Sequence, residues 1–211
     1  NSFPPCLKNK KRIIIEVMDT LKKVWRVFLE VIQNITLALS IFVIIYLFFF
    51  RPHQVNGMSM YPNFHNRDYI LSEKISYRFR EPKRGEVVIF KAPPSESCAA
   101  IECEYIKRII ALPGERVEIR EGAIYIDGQK LEEPYLAAAT KTRSGAFLKE
   151  NEPYQIPEDY YLLLGDNRDG SRDSRDFGPI KKEAIVGRAW LRYWPPEQIG
   201  FTPEPVYNFA P

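Results

Sequence analysis

A hydroxyl becomes a nucleophile only when a base can take its proton, and one serine of this chain raises that question. Ser59 sits in Gly57-Met58-Ser59-Met60-Tyr61-Pro62, between apolar side chains, with glycine and proline punctuating the backbone on either side. A serine in a turn does nothing by itself, so the base decides. Two histidines, His53 and His65, lie in the same stretch. A Ser-His-Asp triad needs a histidine oriented by an acid; neither stands in such a setting, and both read as surface residues. Lys107 is the other candidate, in Tyr105-Ile106-Lys107-Arg108-Ile109-Ile110-Ala111-Leu112-Pro113-Gly114. If this is a strand, its period of two puts Lys107 on one face with Tyr105 and Ile109. An amine on such a face is poorly hydrated, and desolvation disfavours its charged form. A lysine at its reference pKa of about 10.4 is almost wholly protonated near pH 8 and accepts no proton. Lowering that value by about two units costs about 2.7 kcal/mol, which burial in an apolar pocket can impose. A lysine that snorkels to solvent, or pairs with Glu102 or Glu104, fits the spacing at least as well.

A third segment, Gly165-Asp166-Asn167-Arg168-Asp169-Gly170-Ser171-Arg172-Asp173-Ser174-Arg175-Asp176-Phe177-Gly178, is rich in turn formers and by default a solvated loop. Directly after an apolar run, however, its alternating Asp and Arg are more ion-paired than a spacer needs. Its hydroxyls and guanidinium groups could order a site beside it. Cys98 and Cys103 share one loop just ahead of Lys107 and read as a small disulfide staple or as two free thiols. Without a second Cys/His pair nearby, a zinc site is excluded.

Elements must position these segments. Val31 to Phe50 contains no charged residue, and about 20 residues at about 1.5 Å each span a bilayer's hydrocarbon core of roughly 30 Å. Leu47-Phe48-Phe49-Phe50 and Ile41 to Ile45 leave no polar face for a soluble core helix. The run is too long for a removable signal and no small-residue cleavage pattern follows it, so it reads as an anchor that Arg51-Pro52 stops. The chain then divides into a basic cytoplasmic segment (1–30), a transmembrane helix (31–50) and a domain across the membrane (52–211). The orientation follows from Lys8, Lys10, Lys11, Arg12, Lys22, Lys23 and Arg26 ahead of the span. Residues 13–30 have helical spacing and either extend the anchor, lie along the membrane surface or form a cytoplasmic stub.

Beyond the anchor the signals are those of strands. Glu86 to Phe90 is a short apolar run, Val117 to Ile126 alternates around Glu121-Gly122, and Asp127-Gly128 supplies another hairpin turn. Tyr160 to Leu164 reads as a buried strand and Ala184 to Trp194 as the last one, while 136–156 lacks periodicity and reads as a long surface excursion. With 17 prolines and no long helix pattern, the domain is expected to be mainly β and antiparallel. A net charge of +3 with no basic stripe past residue 30 excludes a nucleic-acid partner.

Together, in this order behind an N-terminal anchor, GMSMYP, YIKRIIALPGE, GDNRDGSRDSRDFG and Gly187-Arg188-Ala189 resemble the boxes of type I signal peptidases. The resemblance covers the anchor and nearly all of the outer domain. It implies a membrane-bound serine endopeptidase that removes signal peptides from exported preproteins, cutting after small residues of Ala-X-Ala type. Its fold would be the antiparallel β domain, set against the membrane, that these enzymes share with LexA-like self-cleaving repressors. It also implies a set of roles: Ser59 as nucleophile, Lys107 as general base, and Ser171 as the hydroxyl that positions the amine. Asp173 and Arg175 would hold the loop, Asp166 would pair with Arg108, and Val55, Met60, Tyr105 and Ile106 would form shallow pockets for small side chains. Neither metal nor organic cofactor is implied. Some members carry a serine two residues before the nucleophile as a second oxyanion donor; here that position is Gly57. A Ser/Lys maturase of an organelle inner or thylakoid membrane, and an inactive membrane-tethered binding domain, are the competing readings.

Overall fold

The computed structural model describes residues 5–96, 103–205 and 207. It contains two units, residues 1–48 and 49–211. The first is one helix, α1 (Pro5–Phe49), 45 residues long. The part from Glu16 to Phe49 holds an 18-residue window of mean hydropathy 2.2, and it is long and apolar enough to cross a membrane. Residues 13–30 thus continue the apolar run as one helix. The helix ends earlier than Arg51-Pro52 was expected to end it, because Phe50 already belongs to a strand.

The second unit is built from antiparallel strands. In chain order, β1 (Phe50–Gln54), β2 (Tyr69–Glu73), β3 (Val87–Lys91) and β4 (Glu104–Ala111) come first. A meander follows: β5 (Arg116–Arg120), β6 (Ala123–Ile126), β7 (Gln129–Lys130) and, after the long excursion, β8 (Tyr154–Gln155). Then come β9 (Tyr160–Leu164), β10 (Ile180–Lys181), β11 (Ile185–Trp194) and β12 (Gly200–Phe201). The larger sheet runs β1-β2-β11-β3-β4-β9-β10, with β12 on β11; the smaller runs β7-β6-β5-β8. Glu121 and Gly122, at φ +53° and +76°, make the β5–β6 turn, a geometry glycine adopts without strain. Pro52 sits in edge strand β1, where a missing N–H costs the ladder little.

The larger sheet is curled. Three strands separate β1 from β4 in hydrogen-bond order, yet Arg51 and His53 of β1 both reach Glu104 of β4. Inside the curl lies one apolar cluster, Val55, Met60, Phe64, Ile70, Val87, Ile89 and Ala189. A second fills the space under the small sheet, with Ile110, Val117, Ile119, Ile124 and Leu162 at its centre. β3 pairs β4 from Glu104 to Arg108, but β9 pairs β4 only from Arg108 onward, so the other edge of Glu104 to Lys107 stays open. The excursion is anchored more than its sequence indicates. Phe147 and Leu148 donate their N–H groups to the Arg175 carbonyl at 2.8 and 2.9 Å, tying it to the Asp/Arg-rich loop.

Candidate active site

Lys107 is placed by β4 and Ser59 by the turn that follows β1. Across the curl, Lys107 Nζ lies 2.8 Å from Ser59 Oγ and 3.0 Å from the Ile106 carbonyl. Lys107 is only 4% exposed. Burial pulls its amine down to about 8, against the opposing pull of Asp173 and Asp166; Arg175 adds a smaller push the same way as burial. Glu104, the expected alternative partner, is engaged by Arg51 and His53 instead. The other candidate, Glu102, lies outside the described residues.

The Asp/Arg-rich loop holds both halves of this pair. Asp166 accepts from Arg108 Nε at 2.9 Å and Nη2 at 2.7 Å, with both side chains about 1% exposed, and Arg108 is the neighbour of Lys107. Asn167 grips the serine turn: its backbone N–H donates to the Ser59 carbonyl and its Nδ2 to the Met58 carbonyl, each at 3.0 Å. Asp173 accepts from the Gly165 N–H and from Arg175 Nε and Nη2. Gly165 is required by space, since a Cβ there would stand 2.1 Å from Ser171 Oγ and 2.4 Å from the Ser59 carbonyl oxygen. Ser171 Oγ is buried beside the serine turn and makes no hydrogen bond of its own. Arg168, also buried, is held by Glu133, just ahead of the excursion, and by Thr142 within it.

A groove of about 630 Å³ opens beside Ser59 and Lys107. Val55, Tyr105 and Ile106 line it, whereas Met60 lies beneath in the core at 0% exposure. Arg51, His53, Ile70, Ile89 and Arg172 also line it, and sequence reasoning assigned none of these to a substrate pocket. The histidines need correction. His53 is no surface residue: Nε2 lies 2.7 Å from Ser72 Oγ and Nδ1 3.1 Å from Glu104 Oε2. Burial, the largest influence, holds its pKa below the usual value, with Glu104 acting against it. This copies a Ser-His-acid row, but Ser72 is wholly buried and no substrate carbonyl can reach it. His65 lies edge-on against the Tyr61 ring, with Nδ1 buried. Asn63, also missed, donates to Asp166 at 2.8 Å and so adds a second strap between the serine turn and the loop. Among the described residues, no cluster of metal-ligating side chains occurs. Cys103 is disulfide-bonded, and its expected partner Cys98 lies outside the described residues.

The family model for signal peptidase, peptidase S26, matches residues 28–194. A probable signal peptidase I-2 of Synechocystis is 36% identical over 173 residues, covering 82% of this chain and 76% of that protein. Signal peptidase IB of Staphylococcus aureus is 34% identical over 193 residues, covering 85% of this chain and 97% of that one. The chloroplastic thylakoidal processing peptidase 1 of Arabidopsis thaliana is 38% identical over 157 residues, 72% of this chain and 44% of that protein. With the family model spanning the end of the apolar helix and most of the β unit, the chain belongs to the signal peptidase family, peptidase S26, and is a serine endopeptidase that removes signal peptides.

Proposed function

We propose that this peptidase cuts with a Ser59/Lys107 dyad from the far side of a membrane that α1 spans. The observation that carries this reading is the 2.8 Å separation of Lys107 Nζ and Ser59 Oγ, made by an amine that burial has brought near neutrality. Neutral Lys107 takes the Ser59 proton as Oγ attacks the scissile carbonyl carbon, and the resulting ammonium gives that proton to the leaving amine. Water then attacks the acyl-serine ester carbonyl as Lys107 takes its proton, and Lys107 returns that proton to Ser59 Oγ as the ester C–O bond breaks and the acid is released. The Ser59 N–H, which donates to no acceptor among the described residues, faces the role of oxyanion donor. Gly57 cannot add its own N–H, which is spent on Asn66 Oδ1 at 2.9 Å; a Cβ at Gly57 would meet nothing within 4 Å, so room for a water remains there.

Val55, Tyr105 and Ile106, over Ile70 and Ile89, offer apolar walls suited to small side chains, in keeping with an Ala-X-Ala site. Ser171, Asp173 and Arg175, with the Asp166–Arg108 pair, act as supports of the dyad. A Cys98–Cys103 bridge would close the loop ahead of β4. The lipid bilayer as partner is supported by the apolar length of α1, and a cytoplasmic N-terminus by the cations that precede the span. Protease protection in sealed vesicles reads that orientation directly. The activity is tested by incubating the detergent-solubilised full chain with a preprotein carrying an Ala-X-Ala site. Cleavage after the last alanine is expected; a protein that cuts nothing and takes no serine-directed acyl probe would instead be a binding domain.

The pH dependence follows from the sign of the lysine shift. The active form is the neutral amine, which is lost as pH falls through about 8. Between about pH 7 and pH 6, kcat/KM is therefore expected to drop roughly tenfold, and above about pH 9 to level off. A flat profile over that range would remove Lys107 from the role of base.

A further inference from the structure

The groove changes character at one level on both of its walls. Near Ser59 and Lys107 the inward side chains are Val55, after β1, and Ile106 of β4, which pack in one apolar cluster. Two residues further along each strand, the inward side chains are His53 and Glu104. There the walls are tied to each other: Arg51 Nη1 lies 2.9 Å and His53 Nδ1 3.1 Å from the two oxygens of Glu104. Ser72 fixes the tie from below, 2.7 Å from His53 Nε2 and donating to the Arg51 carbonyl at 3.2 Å. Glu104 is 16% exposed at its side chain, so a substrate group that parted it from its cations would leave a largely buried carboxylate unpaired, which is strongly unfavourable.

We propose that Arg51, His53 and Glu104 form an end stop of the substrate groove, which limits how many extended residues of a signal peptide lie ahead of the cut bond. The inference rests on the reading of this groove as the substrate site. Lys107 and Glu104 are three residues apart, so the stop stands roughly 10 Å from the base, room for about three extended residues. The apolar segment of a signal peptide is a helix about 10 Å across, too wide for a groove whose walls are pinned together, and must halt outside it. Arg51 follows the end of α1 by a single intervening residue, so the stop is the end of the groove nearest in sequence to the apolar helix. The distance from the end of the substrate's apolar segment to the cut is then set by the stop, and the enzyme selects one bond among several acceptable ones. Glu104, Arg51 and His53 are on this account specificity-determining residues that take no part in the chemistry.

The experiment uses the full chain and a preprotein in which one apolar segment precedes Ala-X-Ala-X-Ala. This offers two cuts two residues apart, a slip that keeps every side chain on its own face. Mass spectrometry of the mature product gives the ratio of the two cuts, which does not depend on how much enzyme is folded. The parent is expected to favour one cut. In Glu104→Ala the share of the cut farther from the apolar segment should rise by at least about fivefold, and in Arg51→Gln by a smaller factor. Arg51, at 43% side-chain exposure, is the milder change and carries the test where Glu104→Ala does not fold. An unchanged ratio in the variants that cut overturns the end stop. A parent that cuts neither bond overturns the functional reading on which the end stop rests.

Discussion

Replacing Lys107 by methionine is expected to lower kcat by at least about a thousandfold, with KM within a few fold, while making the protein more stable at neutral pH. The loss follows from the absence of another base within reach: Ser59 Oγ has Lys107 Nζ at 2.8 Å, and both histidines are engaged elsewhere or face away from the chemistry. The gain follows from the lysine shift. The unfolded amine titrates near 10.5 and the folded one near 8. A basic group whose pKa is lowered by folding penalises the folded state wherever both forms are charged, that is below about pH 8, and the penalty fades as pH rises toward the unfolded value. At about 1.4 kcal/mol per pKa unit, the buried ammonium costs the fold on the order of 3 kcal/mol at neutral pH. Methionine fills a similar volume without charge, so thermal unfolding of the full chain in detergent should shift up by several degrees. Ser59→Ala should match the loss of cleavage but leave the melting temperature nearly unchanged. Cleavage that survives Lys107→Met, or a melting temperature that falls, would remove Lys107 from its assigned role.

What the sequence reveals and what it hides divide along the range of the interactions. Tyr160–Leu164 is legible as a strand because five apolar residues end at Gly165-Asp166, and the structure gives those bounds. The β5–β6 hairpin is legible because Glu121-Gly122 names its own turn. Both signals lie within a few residues. Ser59 and Lys107 stand 48 residues apart, and nothing in the periodicity of either segment brings them together; the motif resemblance singled them out, and the curl of the sheet brings them to 2.8 Å. The grip of Asn167 on the carbonyl of Met58, across 109 residues, leaves no local trace even though Asn167 belongs to a recognisable segment. The buried direction of His53 is hidden for the same reason. Its inward direction exists only once β1 has been carried round to face β4, so the residue order offers a lone histidine beside a proline, the signature of an exposed turn. Long-range closure of a sheet is therefore where a site of this kind stays hidden, while its strands are already apparent.

The second large effect is expected at Asp166. Asp166→Ala strips Arg108 of both charge-assisted bonds, at 2.9 and 2.7 Å, and leaves a guanidinium of about 1% exposure with the Gly85 carbonyl and the face of the Tyr135 ring, 4.0 Å from its centroid. Removing one partner of a buried ion pair typically costs about 3–5 kcal/mol, because the other charge remains without compensation. For a domain of this size that corresponds to a fall in melting temperature of roughly 6–20 °C. Cleavage should fall with it, even well below the melting transition, because Asp166 also accepts from Asn63 at 2.8 Å and precedes Asn167, so the same change loosens the serine turn from the loop. Arg108→Leu should be similarly damaging by exposing the carboxylate to the same loss. The double variant Arg108→Leu/Asp166→Ala separates the two contributions. Replacing both charges by apolar groups removes the uncompensated ion, so much of the stability is expected to return, a coupling of about 1–3 kcal/mol between the sites. Activity should not return, because the strap from Asn63 and the register of Asn167 are still lost. A double variant that is as unstable as the sum of the singles would mean that the pair contributes through packing alone, and one that regains full activity would mean that the dyad is positioned without it.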